Sequence, residues 1–195
     1  MLGAQAFVVW ANISCDQLGS QHLPDLVERL LRETGLAPGH LGIEVTERQL
    51  ARRIDDVAAD LGELSRLGVA LAVDDFGTGY ASLDYLRRFT FDEIKIDRSF
   101  VAGLDQDRTD TAVTASIIAL GQSLGLTVVG EGVETQAQLS RLRELGCAVT
   151  QGYLLHRPMP AKETGSVLRR VPEQHQGSHD ADQGRTAPAR RPARG

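Results

Sequence analysis

The sequence predicts an α/β fold in which parallel strands alternate with helices. Short apolar runs alternate with amphipathic stretches along residues 1–172, and the apolar runs recur about 22 to 33 residues apart. Connections of that length, each with room for a helix, are typical of crossovers between parallel strands. Polar residues follow nearly every apolar run, at the strand ends where barrel enzymes carry their chemistry. A length of 195 residues fits one domain.

The first part of the chain is predicted to contain two strands and two helices. We expect Met1–Trp10 to form a buried strand, because this apolar segment lacks the basic residues that begin a signal peptide. Apolar residues at helical spacing predict a helix over His22–Leu36 and another over Leu50–Leu64. A second strand is predicted between these helices, over Leu41–Val45.

The rest of the chain repeats this alternation. The remaining predicted strands are Val69–Val73, Glu93–Ile96, Thr127–Val129 and Ala148–Tyr153, and the remaining predicted helices are Ser82–Phe89, Thr109–Leu124 and Gln136–Leu145. The six strands leave two folds open, a doubly wound open sheet and a (β/α)8 barrel. No Gly-x-Gly-x-x-Gly motif follows the first strand, which weakens the dinucleotide-binding form of the open sheet. A barrel, in turn, needs two strands more than are found here.

The composition excludes several classes of function. A net charge of -5 argues against general nucleic-acid binding, because phosphate backbones favour a basic surface. No run of about 18 apolar residues is present, so no membrane segment is expected. Cys15 and Cys147 form no paired motif, and we expect a cytoplasmic location. Residues 173–195 contain no Leu, Ile, Val or aromatic residue, so we expect a disordered polar tail after a domain over residues 1–172.

Side chains that could carry chemistry lie on the predicted strands or directly after them. They are Asn12 at the first strand, Glu44 and Glu47 at the second, Asp74 and Asp75 at the third, Lys95 and Asp97 at the fourth, Glu131 and Glu134 at the fifth, and Gln151 at the sixth. Carboxylates at this density would repel one another unless a cation neutralised them, and hard oxygen ligands suit Mg²⁺ or Mn²⁺. A run such as Asp74–Gly79 fits an ordinary turn when it stands alone. The combination of residues therefore predicts the metal site.

The motifs around these residues resemble those of the EAL-domain family. They are Ala11–Ser14, Ile43–Glu47, Asp74–Tyr80, Ile94–Phe100, Gly130–Thr135 and Gln151–Tyr153, and they occur in the order found in the family. The resemblance covers residues 7–161. Members of this family are (β/α)8 TIM-type barrels that hydrolyse cyclic di-GMP to linear pGpG with Mg²⁺ or Mn²⁺. The resemblance therefore implies that fold, that substrate and a metal-activated water.

The resemblance also implies which residues bind the metal ions. By the pattern of the family, Asn12, Glu44 and Asp74 would bind one ion. Asp75 and Glu131 would bind a second ion, with Asp74 bridging the two.

Three further residues receive a role from the same resemblance. Lys95 would orient the attacking water or stabilise developing negative charge, and Gln151 would help to hold the water or the substrate. Glu134 would hold the loop over Phe76–Ser82, which supports metal binding and dimer contacts in the family. A homodimer is therefore a possible assembly of this chain.

The Glu-Ala-Leu motif that names the family does not occur in this sequence. In the family it lies upstream of the strand that ends at Asn12, and it supplies a metal-binding glutamate. We therefore expect an incomplete barrel that contains the last six strands and lacks the first two. Three interpretations stay open: a fragment of an active phosphodiesterase, a catalytically inactive descendant that binds cyclic di-GMP or nothing, and an interaction module whose open sheet edge pairs with another chain.

We expect the isolated chain to be poorly stable and to hydrolyse cyclic di-GMP slowly or not at all, because one metal ligand and two strands are lacking. An assay of pGpG formation by the purified chain checks this expectation. Turnover close to that of a whole EAL domain, and lost on Asp74→Asn or Lys95→Ala, would contradict it.

Overall fold

The structure of the protein, a computed structural model, describes residues 7–19, 22–79 and 84–168. The chain divides into two units, residues 6–157 and residues 1–5 together with 158–195. All six strands belong to the first unit, and the described part of the second contains one helix. The tail predicted over residues 173–195 lies outside the described residues, so the division at residue 172 remains a prediction.

Strands and helices alternate along the chain as the sequence predicts. The strands are β1 (Val9–Asn12), β2 (Leu41–Thr46), β3 (Ala70–Phe76), β4 (Glu93–Ile96), β5 (Thr127–Gly130) and β6 (Val149–Thr150). The helices are α1 (Cys15–Leu18), α2 (Leu23–Thr34), α3 (Glu47–Leu67), α4 (Asp84–Arg88), α5 (Arg98–Gly103), α6 (Arg108–Leu124), α7 (Gln136–Glu144) and α8 (Ala161–Leu168). A short 3₁₀ helix, Pro38–His40, precedes β2. Among the described residues, no helix is both long and apolar enough to cross a bilayer.

The six strands form one parallel sheet in the order of the chain, from β1 to β6. A doubly wound sheet would reverse its strand order part of the way across, whereas a barrel keeps the chain order throughout. The observed order therefore favours the barrel. Within the described residues, β1 and β6 each pair with one other strand, which leaves two open edges.

Alternation along the strands gives the sheet one apolar face and one polar face. On β4, Ile94 and Ile96 are fully buried in the hydrophobic core, and Glu93 and Lys95 point to the opposite side. At the β1–β2 edge the ring of Trp10 packs directly on Gly42, where any Cβ would overlap it. The apolar face holds the helices in place, and the polar face is left free for chemistry.

The long helices form where the sequence supplies both an apolar stripe and a capping residue. Helix α2 buries a stripe of leucine and valine and ends at Gly35, which adopts the left-handed conformation that glycine tolerates best. Helix α6 begins at Asp107, whose carboxylate accepts a hydrogen bond from the backbone N–H of Thr109. Helix α7 begins with a capping box formed by Thr135 and Gln138. This box fixes the loop that leads away from β5.

The structure corrects the sequence prediction at both edges of the sheet. The segment predicted as a buried strand over Met1–Trp10 contributes the edge strand β1, in which Val9 is 52% exposed; residues 1–6 lie outside the described residues. Strand β6 is shorter than the predicted Ala148–Tyr153, because the chain turns at Gly152, whose carbonyl accepts the N–H groups of residues 155 and 156. The helices α1, α5 and α8 were not predicted, and the start of the predicted helix Ser82–Phe89 lies outside the described residues.

The polar face carries a carboxyl group with a raised pKa. Burial, assisted by the charges of Glu44 and Glu131 and opposed by Lys95, raises the pKa of Glu93 to about 7. A carboxyl group whose pKa is higher in the folded than in the unfolded state stabilises the fold in its protonated form. That contribution is complete below the ordinary pKa and is lost as the pH rises through about 7.

We therefore expect the chain to become more stable as the pH falls from 8.5 to 5.5, by about 1–2 kcal/mol after allowance for solvent screening. Glu93→Gln should remove most of this difference, because the amide does not titrate. Urea unfolding at the two pH values measures it, with the exposed Glu28→Gln as the matched control. An equal pH dependence in the Glu93→Gln variant and in the parent chain would contradict the assignment.

Candidate active site

The parallel register brings the carboxyl ends of successive strands to one edge of the sheet. Asn12 lies opposite Glu44 in the β1–β2 pair, and Thr46 lies opposite Asp74 in the β2–β3 pair. Farther along the same carboxyl-end edge, between β5 and β4, the backbone N–H of Glu131 donates to the carbonyl of Ile96 at 3.3 Å. The fold thus places at the carboxyl-end edge of the sheet the side chains that the sequence assigns to a single site. We call it the strand-end site, and its residues are Asn12, Glu44, Asp74, Asp75, Lys95, Glu131 and Gln151.

Lys95 lies at the centre of this edge and joins two strands that are not neighbours. Its Nζ lies 2.7 Å from Oε1 of Glu44 on β2 and 2.9 Å from Oε1 of Glu131 after β5. Lys95 is 4% exposed, and burial alone would lower its pKa, but hydrogen bonds to the two carboxylates outweigh burial and raise the pKa. Lys95 is therefore a charged ammonium group at neutral pH.

Glu131 is held by two donors on the same oxygen. Besides the ammonium of Lys95, the side-chain amide of Gln151 donates to Glu131 Oε1 at 2.7 Å. The backbone N–H of Gln151 donates to the carbonyl of Gly130, which fixes the start of the Gln151 side chain. Burial raises the pKa of Glu131, Lys95 lowers it, and the nearby charge of Asp74 raises it again. The net shift is upward.

Asp74 and Asp75 end β3 in an unusual backbone conformation. Asp75 is the non-glycine residue with a positive φ, at 52°, among the described residues. Its N–H donates to Oδ1 of Asp74 at 2.9 Å, and its carbonyl accepts the hydroxyl of Thr78 at 2.9 Å. Burial and then the charges of Asp74 and Asp97 raise the pKa of Asp75. A strained backbone that brings like charges together is typical of a functional site rather than of a packing element.

Glu47 holds the loop that follows Asp75. Glu47 is fully buried in the first turn of α3, and its Oε2 accepts the backbone N–H groups of Gly77 at 2.8 Å and Gly79 at 3.0 Å. The sequence pattern predicts that Glu47 lies near the site, but it indicates no role for this residue. In the sequence, the one indication that Glu47 belongs to the site is its position three residues after Glu44. A glutamate in the first turn of a helix is otherwise explained by its favourable interaction with the helix dipole.

The role expected of Glu134 is filled by Glu47 in the described part of this loop. Glu134 is exposed, and its backbone N–H donates to the side chain of Gln138 at 2.8 Å. No hydrogen bond or ion pair links its carboxylate to residues 76–79 of the described loop. A contact with residues 80–82 would lie outside the described residues, so that part of the expectation remains a prediction.

The carboxylate and amide oxygen atoms of this edge fit the ligand preference of a hard divalent cation. Within residues 7–19, 22–79 and 84–168, no three His, Cys, Asp or Glu side chains already converge into a ligand group. Negative charge is nevertheless in excess, because the one ammonium of Lys95 is shared between Glu44 and Glu131. The charge of Asp74 accordingly raises the pKa of both Asp75 and Glu131. Carboxylate oxygens with excess negative charge, beside the amide oxygen of Asn12, are ligands that Mg²⁺ and Mn²⁺ prefer.

Comparisons with known proteins agree with the fold and with the arrangement of the motifs. The family model for the EAL domain matches residues 4–158. The bifunctional diguanylate cyclase/cyclic di-GMP phosphodiesterase MucR of Pseudomonas aeruginosa is 47% identical over 152 residues, which are 78% of this chain and 22% of MucR. This chain therefore spans about a fifth of the length of that relative.

Solved structures match the fold as well. The structure of the PaMucR phosphodiesterase in complex with c-di-GMP matches with a TM-score of 0.79 at 44% identity, over 83% of this chain and 66% of that chain. BlrP1 of Klebsiella pneumoniae, in a manganese/cyclic di-GMP complex, matches with a TM-score of 0.71 at 36% identity, over 78% of this chain and 39% of that chain.

These matches confirm the fold class expected from the sequence, a TIM-type barrel of which the described sheet contains six strands. The family model covers well over half of the chain, and the matched residues include every strand of the sheet and every side chain of the strand-end site. The chain belongs to the EAL domain family.

Proposed function

We propose that this edge of the sheet is the site of a cyclic di-GMP phosphodiesterase that cleaves its substrate to linear pGpG. The observation that carries the proposal is the buried ammonium of Lys95 between Glu44 and Glu131. Removing three charged groups from water is costly, and such a cluster is weak evidence for stability. Its position at the carboxyl ends of parallel strands, where barrel enzymes act, supports catalysis instead. The substrate is taken from relatives that carry this activity or bind this dinucleotide.

The proposed cofactor is Mg²⁺ or Mn²⁺, and a manganese-containing relative supports it. Asn12, Glu44 and Asp74 would hold one ion, and Asp74, Asp75 and Glu131 would hold a second. Bound divalent cations would neutralise the phosphate oxygens and lower the pKa of water. Each carboxylate must be deprotonated to bind, so the raised pKa values of Asp75 and Glu131 make cation binding compete with protons.

Lys95 can act on the substrate directly. An ammonium group has three N–H donors, of which Glu44 and Glu131 take two. The third donor is available for the attacking water or for a phosphoryl oxygen, on which negative charge develops during in-line displacement. Gln151 donates to the same oxygen of Glu131, so the carboxylate that holds the ammonium is itself held while charge builds up. Gln151 and Glu131 thereby orient the donor.

The second candidate function is that of a module that binds cyclic di-GMP without cleaving it, or that binds another protein. The ion pairs of Lys95 are the observation that favours it, because they already occupy Glu44 and Glu131, two of the proposed metal ligands. Dimer formation and a cytoplasmic location also remain predictions. Ligand binding without pGpG formation would separate the binding module from the enzyme.

We expect saturating Mn²⁺ to raise the melting temperature by roughly 5–10 °C at about a hundredfold excess over its dissociation constant. The shift should shrink as the pH falls toward 5, because protonated Asp75 and Glu131 do not bind the cation. Asp74→Asn should remove most of the shift, and the exposed Asp105→Asn should leave it unchanged. Equal Mn²⁺ shifts in the two variants would argue against the proposed metal site.

We expect Lys95→Met to lower the rate of pGpG formation by about 100-fold or more, since a positioned donor to developing charge is lost. The measurement follows pGpG by mass spectrometry over hours in the presence of Mn²⁺, so that slow turnover is detected. The only other lysine, the exposed Lys162, supplies a matched control as Lys162→Met. A Lys95→Met variant that is folded and as active as Lys162→Met would rule out the role of the ammonium.

A further inference from the structure

The carboxylate of Glu47 contacts the described part of the loop, residues 76–79, through one of its two oxygens. Oε2 accepts the N–H groups of Gly77 and Gly79. Oε1 is buried and has no hydrogen bond of ordinary geometry to any described residue. A buried carboxylate oxygen without a donor carries a large desolvation cost, so a native structure that keeps one calls for an explanation.

A second buried polar group lies beside this oxygen. The hydroxyl of Tyr85 on α4 is also without a hydrogen bond of ordinary geometry to any described residue, and Tyr85 is 2% exposed. Helix α4 packs against α3, the helix that carries Glu47. Burial raises the pKa of Tyr85, and the charge of the Glu47 carboxylate raises it as well. The ring of Tyr85 packs edge-on against Phe91 with centroids 6.3 Å apart. The direction of the hydroxyl is therefore set by packing.

We propose that Tyr85 is a positioning residue whose hydroxyl donates to Oε1 of Glu47 and so orients the carboxylate that holds the Gly77 and Gly79 amides. The donor and the acceptor are complementary, since a neutral phenol has one O–H and a carboxylate has only acceptors. A single hydrogen bond would satisfy both buried atoms. The proposal concerns the loop itself and stands on this geometry, whereas its effect on turnover rests on the proposed function.

Gly77 and Gly79 are closely packed, which makes the orientation of Glu47 consequential. Gly77 has a φ of 100°, and a Cβ there would lie 2.8 Å from the ring of Phe100. A Cβ at Gly79 would lie 3.0 Å from Cδ of Glu47 itself. Gly79 therefore packs directly on the carboxylate, and the two amide hydrogen bonds hold the described part of the loop. Rotation of that carboxylate would release the segment that keeps Asp75 at its positive φ.

The contact also connects the site with α4. Helix α4 is joined to α3 by the ion pair of Arg88 with Asp55 at 2.8 Å, and Tyr85 lies one turn before Arg88 on the same helix. Tyr85 is therefore the point at which the position of α4 bears on the loop after β3. Such a residue acts through Glu47.

The experiment compares Tyr85→Phe with Tyr153→Phe, which removes the same hydroxyl from an exposed tyrosine. Amide hydrogen exchange is measured by NMR on the full chain. We expect the amides of Gly77 and Gly79 to exchange about tenfold faster in Tyr85→Phe, because the charged acceptor loses the donor that orients it. The amides of Leu61 and Leu64, in the buried part of α3, should change by less than about twofold. Tyr153→Phe should change none of the four.

Two results would overturn the proposal. Unchanged exchange at Gly77 and Gly79 in Tyr85→Phe would show that the hydroxyl does not hold the carboxylate. Faster exchange by the same factor at Leu61 and Leu64 would show a general loss of stability instead of a local effect.

A double-mutant cycle of Tyr85→Phe and Glu47→Gln provides a second test, which compares the two single variants with the double variant. Without the anionic acceptor, adding Tyr85→Phe should change the exchange of Gly77 by less than about twofold, which a double-mutant cycle detects as non-additivity. Additive effects would count against the pair. Faster loop exchange in a chain that forms no pGpG would uphold the positioning of Glu47 by Tyr85 while counting against the proposed phosphodiesterase function.

Discussion

The arrangement of the strand-end site depends on one buried ion cluster, in which Lys95 bonds Glu44 and Glu131. The two carboxylates belong to strands on either side of β4, so a single ammonium ties β2, β4 and the loop after β5 together. Without it, two buried carboxylates would face each other at low dielectric, and one of them would take up a proton. The cluster therefore sets both the charge of the edge and the distance between its halves.

The negative charge of this edge and the geometry of its loops support each other. Asp74 and Asp75 are adjacent carboxylates, and their repulsion is tolerated because the backbone that follows Asp75 is fixed by the hydroxyl of Thr78 and by the Glu47 contacts. Glycine is required where the backbone segments of two loops lie in contact. A Cβ at Gly152 would overlap the backbone of Val133, where the loops after β5 and β6 meet. The loops thus keep their places through backbone contacts that larger residues would prevent.

Sequence reasoning succeeded where a pattern maps directly onto local structure. Helices α2, α3, α6 and α7 have apolar stripes long enough to reveal their period, and β2 to β5 are bounded by clear turns. Helices α1 and α5 have four and six residues, too few for a periodicity to appear. The exposure of β1 was missed because apolar composition does not reveal whether a neighbouring strand covers an edge. Glu47 was missed as a holder of the loop because only the fold brings it beneath Gly77 and Gly79.

The packing of Trp10 on Gly42 gives the protein a built-in optical reporter. Trp10 is the only tryptophan of the chain. It lies opposite Gly42 in the β1–β2 pair, and two residues farther along these strands Asn12 lies opposite Glu44. Its fluorescence therefore comes from a single place, on the same strand pair as two residues of the strand-end site. Because the indole rests on backbone instead of on a movable side chain, its emission reports the spacing of β1 and β2 without any attached dye.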